Sequence, residues 1–350
     1  MSATLPSSAM LRAADRSEGV WLSAWRRFKS DSVGLVSLAI VIAFLLLIAL
    51  SALGLVAGNW QREVGVPYAN PTFLGPTPPP PAAQIEEGKG PPVDISTVDP
   101  LAPRYAEWAE RASKLKVDEE VRDNTLPLGG DRLGRDVLAK AIKGAEISIF
   151  VGVLAALLAT AIGTALGAVS GFLGGRVGDL LEWVYNVFTS IPGILLIFAF
   201  AAVFGRGTGT VVLILGLTGW TGIYRLVRAE FLKHAVRDYV RAAEAIGASV
   251  GSRMFRHILP NVSHVVLVQL SILTVGFIKA EVILSYLGLG VSIDQVSWGT
   301  MLAESQVELL LGHWWQLATA TAFMALFVTA FSLMTDALRD ALDPKLRGLE

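Results

Sequence analysis

The chain has no cysteine, only four histidines and little charge: Asp, Glu, Lys and Arg make up 17% of its 350 residues. Soluble domains carry about 25%. Without cysteine there can be no disulfide, thiolate zinc site, iron–sulfur cluster or cysteine nucleophile. The histidines, His234, His257, His264 and His313, are scattered and show no metal-ligand spacing. A net charge of −1 excludes a strongly basic nucleic-acid binder, so nucleic acid is not an expected partner. No G-x-x-x-x-G-K-[ST] or H-E-x-x-H occurs. The chain therefore lacks a phosphate-cradling loop and any recognisable catalytic centre, and it is expected to be no enzyme and to carry no cofactor of its own.

What is present is apolar length. Residues Val33–Gly58 form 26 positions without a charge and Ile147–Gly175 form 29. Uncharged runs of 18 or more read as transmembrane helices. Six spans are expected: Val33–Gly58, Ile147–Leu173, Leu180–Phe204, Val211–Tyr224, Val262–Leu289 and His313–Met334. The first is too long and too far from the start for a cleaved signal peptide, and Arg26-Arg27 reads as its basic flank. The fold class is thus an all-α membrane protein with six transmembrane helices and a long external loop after the first.

Lys and Arg set the orientation. The N-terminal arm 1–32 holds five, segment 225–261 seven and the tail after the last span three. The opposite loop 205–210 has only Arg206 and loop 290–312 has none. Both termini are therefore expected in the cytoplasm. Segment 59–146 is then external. It is mildly acidic, with 11 Lys/Arg against 14 Asp/Glu, and holds 12 of the 16 prolines, Pro78 to Pro81 among them. The proline-rich stretch 67–103 suits an extended loop rather than helix or inner sheet, and Tyr105–Val121 suits a short surface helix. In the arm, Trp21, Leu22, Trp25 and Phe28 share one helical face beside Arg26, Arg27 and Lys29, as in a helix lying in the membrane interface. The chain divides into this arm (1–32), the first span (33–58), the external loop (59–146), a five-helix core (147–337) and a cytoplasmic tail (338–350).

Gly163, Gly167, Gly171 and Gly175 recur every fourth residue, which lets two helix backbones approach closely. Packing within the chain explains them better than a dimer seam. Pro192-Gly193 should kink the third span. The cytoplasmic segment 226–261 is expected to form a helix over Asp238–Ile246, a turn at Gly247, and a second short helix capped by Ser249 and stopped by Pro260. A docking site for a soluble partner explains its length and polarity better than a mere tether. Lys279 and Glu281 lie in the fifth span, two apart and so poorly placed to pair. Buried charge in a span is costly, which makes both candidates for the pathway together with Pro192, although Lys279 can snorkel to the outer interface.

Four blocks together resemble the permease subunits of ATP-binding-cassette importers, in the second-subunit type of the dipeptide/oligopeptide/nickel group. Ala242, Ala243, Gly247, Leu259 and Pro260 match that family's E-A-A…G…L-P loop, with Arg241 where its Glu stands. Leu128-Gly129-Gly130-Asp131-Arg132-Leu133-Gly134-Arg135-Asp136-Val137-Leu138 is similar to L-G-T-D-x-L-G-R-D-V-L, with Gly130 for the Thr. Residues Leu284 to Val291 with Ser297 to Leu302 match the loop after the fifth span, and Leu338 to Pro344 match the C-terminal signature. The resemblance covers about 20–58 and 126–347, and Glu281 matches an acidic position of the family.

The resemblance implies a type I importer permease fold in a bacterial inner membrane. It implies a second homologous permease, two ATP-binding ATPase subunits and an extracytoplasmic substrate-binding protein as partners, beside membrane lipid. ATP and magnesium would sit on the ATPases. The coupling loop would be carried by Arg241, Ala242, Ala243, Gly247, Arg256, His257, Leu259 and Pro260. Peptides are the expected cargo, with nickel or glutathione as alternatives; a secondary transporter or a membrane scaffold fits less well. Gly247→Pro is expected to abolish ATP-driven uptake while the protein still inserts, which uptake assays on membranes of equal protein content would check.

Overall fold

A computed structural model describes residues 20–78, 99–114 and 121–342. Pro79 to Pro81, Arg12, Arg16 and the tail positions Asp343, Pro344, Lys345 and Arg347 lie outside the described residues. The elements in order are α1 (Val20–Ser30), α2 (Ser32–Ala52), β1 (Gly65–Pro71), α3 (Tyr105–Lys114), β2 (Asp123–Leu126), α4 (Val137–Leu173), α5 (Gly175–Thr189), α6 (Gly193–Phe204), α7 (Thr208–Thr218), α8 (Thr221–Ala235), α9 (Asp238–Ala245), α10 (Val250–Ser252), a π-helical turn (Arg253–Ile258), α11 (Leu259–Tyr286), α12 (Trp298–Leu310) and α13 (Trp315–Leu342). Among the described residues, five helices or continuous helix pairs are long and apolar enough to cross a membrane. There are six spans if the pair α5 and α6, bent by 82°, counts as one. The chain divides into two compact units, Gln61–Val137 and the remainder.

In the membrane unit the spans keep their expected order but not all their ends. Helix α2 stops at Ala52, six residues before Gly58. Gly54, at φ +73°, donates to the Ser51 carbonyl at 2.9 Å, and Leu55 reaches back to Leu50 at 3.0 Å. This pair of bonds satisfies two of the carbonyls a helix end leaves free. The 21 residues that remain still span about 31 Å, close to the hydrocarbon thickness. Helix α4 instead starts ten residues before Ile147, because the charges of its first turns are paired. The Lys140 ammonium lies 2.6 Å from Glu304 and 3.0 Å from the Gln316 carbonyl oxygen. Glu146 is bound by Lys143 and accepts from Ser51, each at 2.8 Å.

The glycine stripe packs inside the chain. A Cβ on Gly163 would lie 2.6 Å from the Trp220 carbonyl oxygen, on Gly167 2.7 Å from that of Tyr224, and on Gly171 2.5 Å from that of Arg228. Three of the four glycines therefore lay α4 directly on the main chain of α8, while Gly175 faces open space at φ +49°. Above this seam Val151, Ala155 and Ala159 of α4 form a buried cluster with Val211 and Leu215 of α7 and Phe277 of α11. Below it Ala168 joins Ile223, Val227 and Phe231 of α8 with Val240, Met254, Ile258 and Val262.

The two prolines of the membrane unit behave oppositely. Pro192 is extended, at ψ 124°, and the span breaks there rather than kinking. Pro260 does not stop a helix. It occupies the first turn of α11, where its missing N–H costs little, and the Val250–Tyr286 run continues through it. The turn before it widens: the Leu259 N–H reaches back five residues to the Met254 carbonyl. Helix α12 lies where a loop was expected. Its start, Ser297-Trp298-Gly299-Thr300, is a reciprocal cap in which Ser297 accepts from the Thr300 N–H at 3.3 Å and Thr300 from the Ser297 N–H at 2.9 Å. Helix α1 also differs from a purely interfacial anchor: Phe28 and Ala24 are buried against Ala337, Ala341 and Leu342 of α13. Trp25 stays half-exposed, with the Lys29 ammonium 5.2 Å from its ring centre.

The Gln61–Val137 unit has more order than an extended loop. Strands β1 and β2 pair in parallel, a feature that the prolines at both 67 and 71 concealed. In a two-stranded sheet each strand has a free edge, and an edge tolerates residues without an N–H. The Leu128–Leu138 block is a tight turn built around Asp131, which is fully buried. Its carboxylate accepts from the Leu133 and Arg135 N–H groups at 2.9 and 3.0 Å and pairs with the Arg135 guanidinium at 2.7 Å. Gly134, at φ +78°, brings its main chain so close that a Cβ would fall 1.9 Å from the Gly65 carbonyl oxygen. The expected surface helix is present as Tyr105–Lys114; positions 115–120 lie outside the described residues.

Gly167→Leu must force the α4 and α8 backbones apart. It is expected to cost about 1–3 kcal/mol or more, read as a lowered Tm of the detergent-purified protein. Gly276→Ala, with nothing within 4 Å of the new Cβ, is the control and should leave the Tm unchanged or raised.

Candidate functional site

The polar segment after α8 forms an elbow. Helix α8 ends at Ala235, Arg237 is extended at ψ 149°, and α9 starts at Asp238 with its carboxylate in the first turn, where a helix N-terminus favours negative charge. Gly247 takes φ +86° and reverses the chain; its N–H donates to the Glu244 carbonyl at 2.9 Å. Ser249 then caps α10 by accepting from the Ser252 N–H at 3.3 Å. The chain re-enters the membrane unit through the π-helical turn.

The elbow is anchored from below and bare above. Val240, Ala243, Met254 and Ile258 are buried, with Leu259 packed against them. Arg253 ties its two arms together: it is 2.6 Å from Glu244 of α9, and its guanidinium lies 5.4 Å from the ring centre of Phe172 at the end of α4. Partly shielded contacts of this kind contribute about 0.5–1 kcal/mol each. On the outer side Ile246 is 86% exposed, Val236 62% and Phe255 58%. Around these apolar residues lie seven Lys/Arg against three Asp/Glu over 225–261.

Of the residues named for coupling, Ala243 and Leu259 face the core of the elbow, His257 is half-buried, and Arg241, Ala242, Gly247, Arg256 and Pro260 are exposed. Helix α9 and the π-helical turn pack together, so the structure brings the Ala242-Ala243 and Arg256 to Pro260 portions into one body. The Glu244–Arg253 pair and exposed Ile246 escaped sequence reasoning. A charge pair nine residues apart across a turn has no periodic signature, and the exposure of an isoleucine depends on what fails to cover it.

The three pathway candidates are not brought together. Lys279 is exposed, while Glu281, two residues along α11, is fully buried on the opposite side. Pro192 is exposed at the break between α5 and α6. Glu281 sits at a junction. Ser285 donates to its carboxylate at 2.6 Å and in turn accepts from the Val291 N–H at 3.3 Å. The carboxylate thus reaches the chain after α11 through the Ser285 hydroxyl, while its second oxygen is buried without a hydrogen-bond partner among the described residues. Nearby, Ser148 of α4 accepts from the Trp298 N–H at 3.2 Å. Gly299 permits the close approach of α12 to α11, since a Cβ there would stand 2.4 Å from the Val282 carbonyl oxygen. Among the described residues no group of three or more His, Asp or Glu could hold a metal ion.

Residues 163–348 match the family of binding-protein-dependent transport system inner membrane components. The chain is 39% identical to the dipeptide transport system permease protein of Bacillus subtilis, over 66% of this chain and 74% of that protein. It is 37% identical to the oligopeptide transport system permease protein of the same organism, over 71% of this chain and 81% of the relative. A dipeptide permease protein of Lactococcus lactis is 29% identical over 92% of this chain and 90% of its own length.

Glu281→Leu leaves the buried Ser285 hydroxyl without its acceptor. It is expected to cost about 1–3 kcal/mol, read as a lower Tm and faster proteolysis between α11 and α12. Glu281→Gln retains an acceptor and should lose less on both measures.

Proposed function

The chain belongs to the family of binding-protein-dependent transport system inner membrane components, and we propose that it is the permease subunit of an ATP-driven importer of di- and oligopeptides. The relatives' names support the cargo. The observation that carries the mechanism is the elbow, rooted in the membrane core by Val240, Ala243, Met254 and Ile258, with an uncovered apolar surface at Ile246.

In this reading two ATPase subunits, a second homologous permease and an extracytoplasmic binding protein complete the machine. ATP and magnesium belong to the ATPases, since the chain has no phosphate-cradling loop. The elbow, with Arg241, Ala242, Gly247, Arg256 and His257 on or near its surface, seats against one ATPase. Apolar Ile246 and Val236 supply burial there, and the surrounding basic residues steer an acidic partner surface. Closure of the ATPases on ATP displaces the elbow. The Val250–Tyr286 run has no interruption, so the displacement passes directly into α11 as a lever and needs no hinge at Pro260. The Glu244–Arg253 pair keeps α9 and the π-helical turn moving as one piece.

The basic segments 1–32, 225–261 and the tail favour cytoplasmic termini, which leaves segment 59–146 on the extracytoplasmic side.

Co-purification with neighbouring gene products, followed by ATPase assays in lipid, tests the proposal. ATP hydrolysis is expected to rise when the binding protein is loaded with di- or tripeptide, and not with nickel or glutathione. Failure of any ATPase to co-purify under mild conditions would overturn it.

A further inference from the structure

The break between α5 and α6 carries a consequence of its own. From Glu182 to the end of α6 the two helices hold no charge except Glu182 itself, and their sequence is that of a span. Yet main-chain order fails over Ser190–Pro192. Among the described residues, the carbonyls of Ser190 and Ile191 accept no hydrogen bond. The Thr189 and Ser190 hydroxyls are already spent on earlier carbonyls of α5: Thr189 donates to Tyr185 at 3.0 Å and Ser190 to Val187 at 2.7 Å. Pro192 has no N–H to offer.

The break is deep. Phe188, just before it, lies edge-on to Trp220, with ring centres 5.4 Å apart. The break itself falls near the middle of the expected span Leu180–Phe204. The break is also uncovered by this chain. Residues 189–195 and Asn186 are exposed, and a Cβ on Gly193 would meet nothing within 4 Å.

These facts conflict if the surface faces lipid. Hydrocarbon offers no hydrogen bonds, and irregular main chain at membrane depth is tolerated only where protein covers it or water fills a cavity beside it. A covering helix of a second permease could bury the apolar Ile191, Ile194 and Leu195. It could bond the free carbonyls only through side-chain donors, because a helix has already used its own N–H groups.

We propose that the Ser190–Ile191 main chain, with Asn186 beside it, lines a hydrated path and forms a contact site for the main chain of a passing peptide. The inference rests on the peptide-import reading above. The chemistry is complementary: adjacent carbonyls accept the amide N–H groups that every peptide carries, and the Asn186 amide can both donate to and accept from the same chain. Such a contact reads main chain and ignores side chains, so it passes peptides of varied sequence. Pro192 keeps the carbonyls available, since any straight helix through this point would consume them.

The absence of native cysteine gives a direct test. Ser190→Cys and Asn186→Cys are made singly in the assembled transporter, with partner subunits freed of their own cysteines, in proteoliposomes. A charged, membrane-impermeant methanethiosulfonate reports access, and Leu46→Cys on the uncharged, lipid-length α2 serves as the dry control. Labelling at 186 and 190 is expected to run at least ~10-fold faster than at 46, because only a hydrated thiol ionises readily. Saturating tripeptide is expected to slow it. If both positions behave like the control while the same complex takes up peptide, the inference is overturned and the import reading stands. Rapid labelling that peptide leaves unchanged, in a complex with intact uptake, overturns the peptide contact. If no peptide drives uptake or ATP hydrolysis, the import reading is what fails, and the labelling rates still decide whether the break is wet.

Discussion

The membrane unit depends on the contact of α4 with α8, main chain against main chain. Three glycines spaced by four remove every side chain from that line, and carbonyls of the facing helix occupy the space. In lipid there is little hydrophobic drive for one helix to join another, so close van der Waals packing must hold them. Everything that follows in the chain inherits its position from this seam. Helix α8 ends in the elbow; Phe231, three residues along from Arg228, anchors the lower cluster that receives Val240, Met254 and Ile258. The stripe of small residues therefore governs where the polar segment is presented, although it lies far from that segment in sequence.

A second constraint is that main-chain hydrogen bonds must be satisfied wherever water is absent, and the irregular places show how the chain meets it. The end of α2 closes on itself through Gly54 and Leu55. The start of α12 closes through Ser297 and Thr300. At Pro260 the widened turn gives the Leu259 N–H a carbonyl five residues back, and the helix survives. At Pro192 the Ser190 and Ile191 carbonyls go unmatched. The difference is positional. Pro260 falls in a first helical turn, where an N–H is dispensable, whereas Pro192 falls between two helices that would otherwise be continuous. The same residue type transmits movement in one place and interrupts order in the other.

Much of the frame was legible. Six apolar runs, their order, the internal use of the glycine stripe, the turn at Gly247 and the cap at Ser249 follow from period, length and local stereochemistry, which need no knowledge of neighbours. The start of α4 was not legible, because charge at Lys140 and Lys143 argues for loop unless its partners Glu304, Gln316 and Glu146 are known. Nor was α12, whose cap uses Thr300 at a place where Glu or Gln is the usual signal. Strand β1 was hidden by Pro67 and Pro71, since edge placement alone makes those prolines acceptable.

By itself the sequence determined that this is a helical membrane protein of six apolar segments, and that its polar middle carries a helix, a glycine turn and a second capped helix. These properties are set by residue composition and by contacts within a few positions. Only the tertiary structure decided that Glu281 is buried against Ser285 while Lys279 is exposed, that Arg253 clamps the elbow to Glu244 and Phe172, and that the main chain at Ser190–Ile191 lies bare. Exposure and partnership belong to pairs of segments distant in the chain. Which face of a helix is covered depends on every other helix having found its place.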